Sequence, residues 1–260
     1  MSSFGVVLDA CVLIPAALRD TLLRAAEYRL YRVFWSEAIL DEVRRNLVAD
    51  HLTDPPGAAR LVAQLRRAFP GSPVEGYGPL LPLMPNDPKD RHVLAAAVKA
   101  GAQVVVTRNL ADFPAAALEP FGVEAQSPDE FLVHLFDLAP RLMARIVVEQ
   151  TADKRRQPAL IRDTLNALAV EAPAFVQRVR QLSGAILTQH PDDPAGQAIA
   201  LGFFRSAELA KMAAELSWSD DQAQRVARDR WGWQQDGPLG PRWEARLPSY
   251  RYTIVEIPLS

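Results

Sequence analysis

The sequence predicts an α/β fold, a parallel sheet covered by helices on both faces, followed by a mainly helical extension. Three observations predict it. Residues 4–8 and 103–107 are short, nearly continuous apolar runs rich in valine, the pattern of strands buried on both faces. Segments with helical periodicity lie between them, and strands alternating with helices call for crossover connections and parallel pairing. Beyond Pro128 the pattern turns to one helical segment after another.

In chain order, residues 4–8 form the first strand, and a helix follows over about 15–31. Residues 33–35 read as a second short strand. Ser36 has the side chain of an N-cap for a helix running to about 49. Another helix is expected over 58–68. Residues 70–88, rich in proline and glycine, read as loop. Asp87 followed by Pro88 resembles an N-cap with proline at the first helical position, and that helix stops at Gly101. Residues 103–107 are the next strand. Helices are then expected over 129–138, 141–151, 158–170 and 173–182. The stretch HPDDPAG (190–196) reads as a linker, and after it the composition shifts. Trp218, Trp231, Trp233 and Trp243 lie there, Ser219 and Gln222 have capping-box spacing, and residues 250–257 read as a strand. The expected division is an α/β domain over 1–128, a helical extension over 129–189 and a Trp-rich appendage over 190–260.

A chain of 260 residues is long enough for more than one folding unit. With 49% hydrophobic and 23% charged residues it has the balance of a globular protein, not a disordered one. Cys11 is the single cysteine, so no intramolecular disulfide can form, which suits a reducing cytoplasm. The first residues have no basic segment and Asp9 interrupts their apolar run, so a secretory signal is not expected. No stretch approaches the roughly 20 apolar residues of a membrane span, and the expected location is the cytoplasm. The net charge of −2 does not advertise a nucleic-acid binder; binding to RNA would need a local basic rim.

The carboxylates carry the chemistry. Open α/β sheets bind ligands beyond the carboxyl ends of their strands. Asp9 ends the first strand, and Asn109 and Asp112 follow the strand at 103–107. The plain alternative for Asp9 is a turn or cap residue. At 100° per residue, Asp90 shares a helix face with Val93, Leu94 and Ala97, which puts a carboxylate in an apolar stripe. Such burial is costly without a cation or several donors. Its alternative is an exposed acid favoured by the helix dipole. Asp87 is explained by capping. In the helix after Ser36 the apolar face is Ile39, Leu40, Val43 and Leu47; Glu42 lies at its edge, and Glu37 and Asp41 point away. A solvated glutamate explains Glu42 equally well. Acids from separate segments suit Mg²⁺, a hard cation that takes oxygen ligands. Competing chemistries lack their signatures. His51, His92, His134 and His190 are scattered without zinc spacing, each reading as a surface or packing histidine. Cys11 reads as a small packing residue, and there is no Walker or GxGxxG loop. A haloacid-dehalogenase-like phosphatase would need an acid where Cys11 stands.

Three segments, LDACVLIPAALRDTLLRAA, WSEAILDEVRRNL and NDPKDRHVLAAAVKAGAQVVVTRNLADFP, occur in an order that resembles the PIN-domain family, and most of all its VapC-like toxin branch. The resemblance runs to about Gln126. SPDEFLVHLFDL and the helical stretch to about 182 resemble the C-terminal extension of one subgroup. The resemblance implies a three-layer α/β/α domain and Mg²⁺- or Mn²⁺-dependent RNA cleavage by metal-activated water. It implies Asp9, Glu42, Asp90 and Asp112 as the four acids that hold the metal. Many relatives carry an acid where Asn109 stands, so the fourth place falls to Asp112, or to Asn109 acting through water. Thr107 would orient the site by hydrogen bonding. The toxin relatives imply a cognate antitoxin and a homodimer. Arg19, Arg91 and Arg108, with Arg44 and Arg45, are candidate RNA contacts, each also explicable as a solvated surface arginine. The tail from about His190 lies outside the resemblance. It is either a packing appendage or a segment that stacks on RNA bases or occludes the site. The alternative function is a catalytically inactive RNA-binding or scaffold protein on the same fold.

Overall fold

In the computed structural model, described over residues 4–153, 161–181 and five strands between 184 and 257, the valine-rich runs lie at the centre of a parallel sheet. By its contacts the chain divides into two units, 1–132 and 133–260.

The first unit holds four parallel strands in the order β2-β1-β3-β4: β1 (Gly5–Leu8), β2 (Arg32–Phe34), β3 (Val104–Val106) and β4 (Glu124–Gln126). Val7 stands opposite Phe34 on one side and Val105 on the other. Every residue of β1 and β3 is buried. Successive strand side chains point to opposite faces, so both faces are covered, as the three-layer α/β/α architecture requires. The sequence reading misses β4. Its residues Glu124, Ala125 and Gln126 carry no apolar run, and an edge strand needs none. Backbone pairing holds it: Glu124 N–H donates to Gln103 and Thr107 N–H donates to Gln126, at 2.9 and 3.0 Å.

The helices from α1 to α7, the last of which runs on past residue 132, follow from local chemistry. A single turn, α1 (Ala10–Leu13), comes directly after Asp9, and α2 spans Ala16–Glu27. The expected helix to residue 31 stops early because Arg29 takes a positive φ; Tyr31 then turns inward and donates its hydroxyl to Leu22 O at 2.8 Å. In α3 (Glu37–Ala49) the Ser36 hydroxyl accepts from Ile39 N–H at 3.3 Å, and Ile39, Leu40, Val43 and Leu47 are buried, the face the periodicity predicts. The next helix, α4 (Pro55–Ala68), begins three residues before expectation. Asp54 caps it through Gly57 N–H at 2.7 Å, and Pro55 fits the first position. The 70–88 loop contains one 3₁₀ segment, Gly78–Leu83. Helix α5 spans Arg91–Ala100 and closes on Gly101 at φ +62°, where a side chain would be strained. It packs on β1 and β3 and approaches α3. After α6 (Ala115–Leu118), α7 (Pro128–Leu138) opens with reciprocal Ser127–Glu130 hydrogen bonds. Tyr31 meets Phe131 edge-to-face at 5.1 Å in this unit's core.

In the second unit α8 (Pro140–Ala152), α9 (Ile161–Ala169) and α10 (Pro173–Gln181) pack together. Thr151 donates to Val147 O and pairs with the Thr164 hydroxyl, both at 2.8 Å. Five antiparallel strands follow, in the order β6-β5-β9-β8-β7: β5 (Gly184–Pro191), β6 (Ile199–Phe204), β7 (Gln234–Asp236), β8 (Arg242–Leu247) and β9 (Tyr250–Ile257). Only β9 is expected from sequence. Runs such as GAILTQHP and IALGFF are short, and periodicity alone does not separate strand from helix in them. His190 and Pro191, expected to open a linker, end β5. Trp243 lies in β8; Trp218, Trp231, Trp233 and the Ser219/Gln222 pair lie outside the described residues. Among the described residues no helix is long and apolar enough to cross a membrane.

Candidate active site

Asp9 sits just past β1, and its backbone still donates to Val106 O of β3 at 3.1 Å. The side chain is buried and both carboxylate oxygens are held. Oδ1 accepts from Ala10 N–H at 2.6 Å, so Asp9 also caps α1. Oδ2 accepts from the Thr107 hydroxyl at 2.7 Å and from the Cys11 thiol at 3.2 Å. Thr107 Oγ1 in turn accepts from Asn109 N–H at 3.1 Å, and Cys11 Sγ accepts from Arg108 N–H at 3.2 Å. Burial, then the charge of Asp9, pushes the Cys11 thiol up to about 11, so it is protonated at neutral pH and able to donate. The expectation that Cys11 only fills space is corrected: it ties the β3 loop to Asp9. Its position two residues after a strand-end aspartate was the available signal.

Asp90 occupies the N-cap position of α5, but its side chain makes no cap hydrogen bond. The helix starts at Arg91, later than the Asp87-Pro88 signal predicts. Asp87 Oδ1 accepts from Lys89 N–H, and its carbonyl from Asp90 N–H, both at 3.0 Å; this closes a turn instead of capping a helix. The Asp90 side chain is buried, and Oδ2 receives no hydrogen bond among the described residues. Burial first, then the charge of Asp9, pushes its acidity up to about 7; Asp112 adds to the shift and Lys89 opposes it. Asp112 ends a 3₁₀ turn (Leu110–Asp112), and its carbonyl accepts from Asp87 N–H at 3.4 Å. The Lys89 ammonium is 3.0 Å from Asp112 Oδ2 and 3.9 Å from Asp90 Oδ2, and the bond to Asp112 raises its pKa. A cation thus already stands between these two carboxylates. Asp9, Asp90 and Asp112 are brought within electrostatic reach of one another.

Glu42 of α3 is half-buried and meets His92 of α5, two residues beyond Asp90, at 3.8 Å. Its neighbours Glu37 and Asp41 pair outward with Arg66 and Arg44, as the helical wheel predicts. Arg91 opens α5, and its Nε is buried without a partner among the described residues. Arg108 is exposed. Arg19 is turned inward: Nη1 donates to the carbonyls of Leu13 and Ile14 at 2.8 and 3.1 Å, and burial lowers its pKa. Its guanidinium secures the end of α1.

Among the described residues, the buried side-chain atoms without a hydrogen-bond partner belong to Trp35, Asn86, Asp90, Arg91 and His92. All but Trp35 fall within 86–92. Unsatisfied buried polar groups are rare in folded proteins, so their concentration in one segment makes residues 86–92 a candidate site. As the side chains stand, no group of three His, Cys, Asp or Glu residues is closed around one point among the described residues. The Lys89 ammonium stands between Asp90 and Asp112 instead. The donors are nonetheless those a hard divalent ion takes, and the unpaired Asp90 oxygen is what such an ion would satisfy.

Residues 5–111 match the PIN domain, and residues 128–181 match the VapC50 C-terminal domain. A Mycobacterium tuberculosis protein named as a candidate ribonuclease, VapC50, is 38% identical over 107 residues. Those residues are 41% of this chain and 63% of the relative's length. No solved structure matches the chain. The fold, the order of the acidic segments and the two domain matches agree: residues 5–111 form a PIN domain, and residues 128–181 after it match the VapC50 C-terminal domain.

Proposed function

We propose that residues 1–128 form a divalent-metal-dependent ribonuclease that hydrolyses RNA phosphodiester bonds at Asp9, Asp90 and Asp112, with Glu42 at the edge. Asp90 carries this reading. A buried carboxylate whose Oδ2 receives no hydrogen bond, which faces two further aspartates and has only the exposed Lys89 ammonium at 3.9 Å to offset them, is unfavourable unless a closer cation joins it. The all-oxygen donors favour Mg²⁺ or Mn²⁺. Such an ion, when bound, acidifies water and offsets charge on the phosphodiester.

The chain's own groups divide the remaining work. Asp9 is aimed by Ala10 N–H, Thr107 and Cys11, which leave its carboxylate little freedom. Asn109 steadies Thr107 from behind through its backbone, and Asp112 fills the fourth acidic place. Lys89 is exposed on a flexible stem, so it swings from between Asp90 and Asp112 at little cost and then faces the phosphate. Arg91 and Arg108 flank the acids and position the backbone without reading sequence. Arg19 is committed inside the fold and is left with no part in this.

By the same reading the protein is the toxin of a toxin–antitoxin pair, restrained by a cognate antitoxin and working as a cytoplasmic homodimer. The extension over 129–189 and the appendage over 190–260 are assigned no chemical step. The test uses chelator-dialysed protein and end-labelled RNA. Mn²⁺ or Mg²⁺ restores cleavage, and Asp9→Asn lowers it by about 100-fold or more while the circular-dichroism melt is kept. Cleavage that survives in Asp9→Asn, or in chelator, rejects the reading.

A further inference from the structure

His92 is the second residue of α5, two positions beyond Asp90. Its Nδ1 lies 3.0 Å from the Lys89 carbonyl. A carbonyl only accepts, so Nδ1 carries the hydrogen and donates it, and the neutral ring has its lone pair on Nε2. That nitrogen is buried and has no hydrogen-bond partner among the described residues. It faces Glu42 Oε2 at 3.8 Å, too far for a hydrogen bond. Two atoms that both accept hydrogen bonds therefore face one another at this distance. An ion bonded to both at about 2.1 Å in octahedral geometry holds its donors about 3 Å apart, so a closing of under about 1 Å by the half-exposed Glu42 side chain would let the pair share it. A ring N–H held by a backbone carbonyl, with the other nitrogen left open, is the arrangement that metal-binding imidazoles use.

We propose that His92 Nε2 and Glu42 Oε2 form a mixed nitrogen–oxygen donor pair that recruits Mn²⁺ and discriminates against Mg²⁺ at the edge of the carboxylate site. Imidazole nitrogen binds transition ions, whereas Mg²⁺ takes oxygen and keeps its waters. The inference rests on the metal-dependent reading of the same site, and adds to it a ligand of a different chemical kind and a preference between ions.

The test is spectroscopic and needs no substrate. Full-length protein freed of metal is titrated with Mn²⁺, and bound ion is followed by electron paramagnetic resonance. Spin-echo modulation of bound Mn²⁺ should show a directly coordinated ¹⁴N. His92→Ala should abolish that coupling and weaken Mn²⁺ binding by about tenfold or more, with Mg²⁺ binding, read by competition, changed by less than about threefold. His92→Gln repeats the measurement with a bulkier side chain, and the wild-type spectrum stands without any variant. Bound Mn²⁺ without nitrogen coupling would overturn the inference while sparing the carboxylate site. Coupling that persists in His92→Ala would assign the nitrogen to another histidine and overturn it too. Failure of the wild-type protein to bind Mn²⁺ would overturn the inference, and failure to bind Mg²⁺ as well would overturn the nuclease reading with it.

Discussion

Asp90 is the residue whose energetics differ most from the ordinary. Its carboxyl moves from 3.8 to about 7 through burial and through the charges of Asp9 and Asp112. The fold thus favours its protonated form. Below about pH 4 folded and unfolded chains both hold the proton, and Asp90 imposes no penalty. As pH rises toward about 7 the unfolded chain releases the proton while the folded one retains it, so stability falls across this window. Melting in chelator should therefore show Asp90→Asn gaining on wild type as pH rises from about 4 to 7, then holding its lead. Parallel curves for the two proteins would remove Asp90 from the account. Added Mn²⁺ reverses the trend, because the ion takes the carboxylate the proton gives up, and stabilises more at pH 8 than at pH 6. Cys11 gives a second test at this scale. Cys11→Ser keeps a donor toward Asp9 and Arg108 N–H keeps an acceptor; Cys11→Ala keeps neither. The alanine variant should lose about 1 kcal/mol of stability and about tenfold in cleavage, with the serine variant near wild type. Equal behaviour of the two would return Cys11 to a packing role.

Elements place these residues, and they show how far a sequence reading reaches. The α3 helix was legible because its cap and its apolar face are both local, and Ser36→Ala should cost about 1 kcal/mol in denaturant unfolding. Cleavage should fall in step only if the first turn of α3 also holds Glu42 in place. As members of the proposed site, Asp9 and Asp112 can be picked out from sequence because both follow buried valine strands, where α/β sheets bind ligands. Asp90 was read as buried from a helix register that starts too early. Its side chain is buried even so, because the turn closed by Asp87 carries it onto the same inner side. What escaped the reading depends on tertiary contact. Cys11 gains meaning only when β1 and β3 bring it beside Thr107, and His92 only when α5 approaches α3. Edge strand β4 escaped for the opposite reason: backbone pairing defines it, and its side chains carry almost no pattern.

At the scale of the whole chain the decisive fact is where it divides. Asp9, Glu42, Asp90 and Asp112 all belong to the first unit, so cation binding should survive changes confined to the second. Residue 190, where composition shifts, is the wrong place to cut. It falls inside β5, a strand paired on one side with β6 and on the other with β9. A chain ending at residue 190 keeps most of β5 and loses both neighbours, leaving two rows of unpaired backbone groups open to other molecules. A chain ending at residue 182 removes the strand entirely and stops just after α10. Both truncations uncover the side of α8 that lies against β6, and 1–182 uncovers the side against β5 as well, so both should melt below the full chain. They should differ in association. Sedimentation velocity should find 1–190 forming larger, concentration-dependent species that 1–182 does not, with Mn²⁺ binding retained in each. If 1–190 stays as discrete as 1–182, β5 has no need of its two neighbours, and the antiparallel sheet is not what holds this unit together.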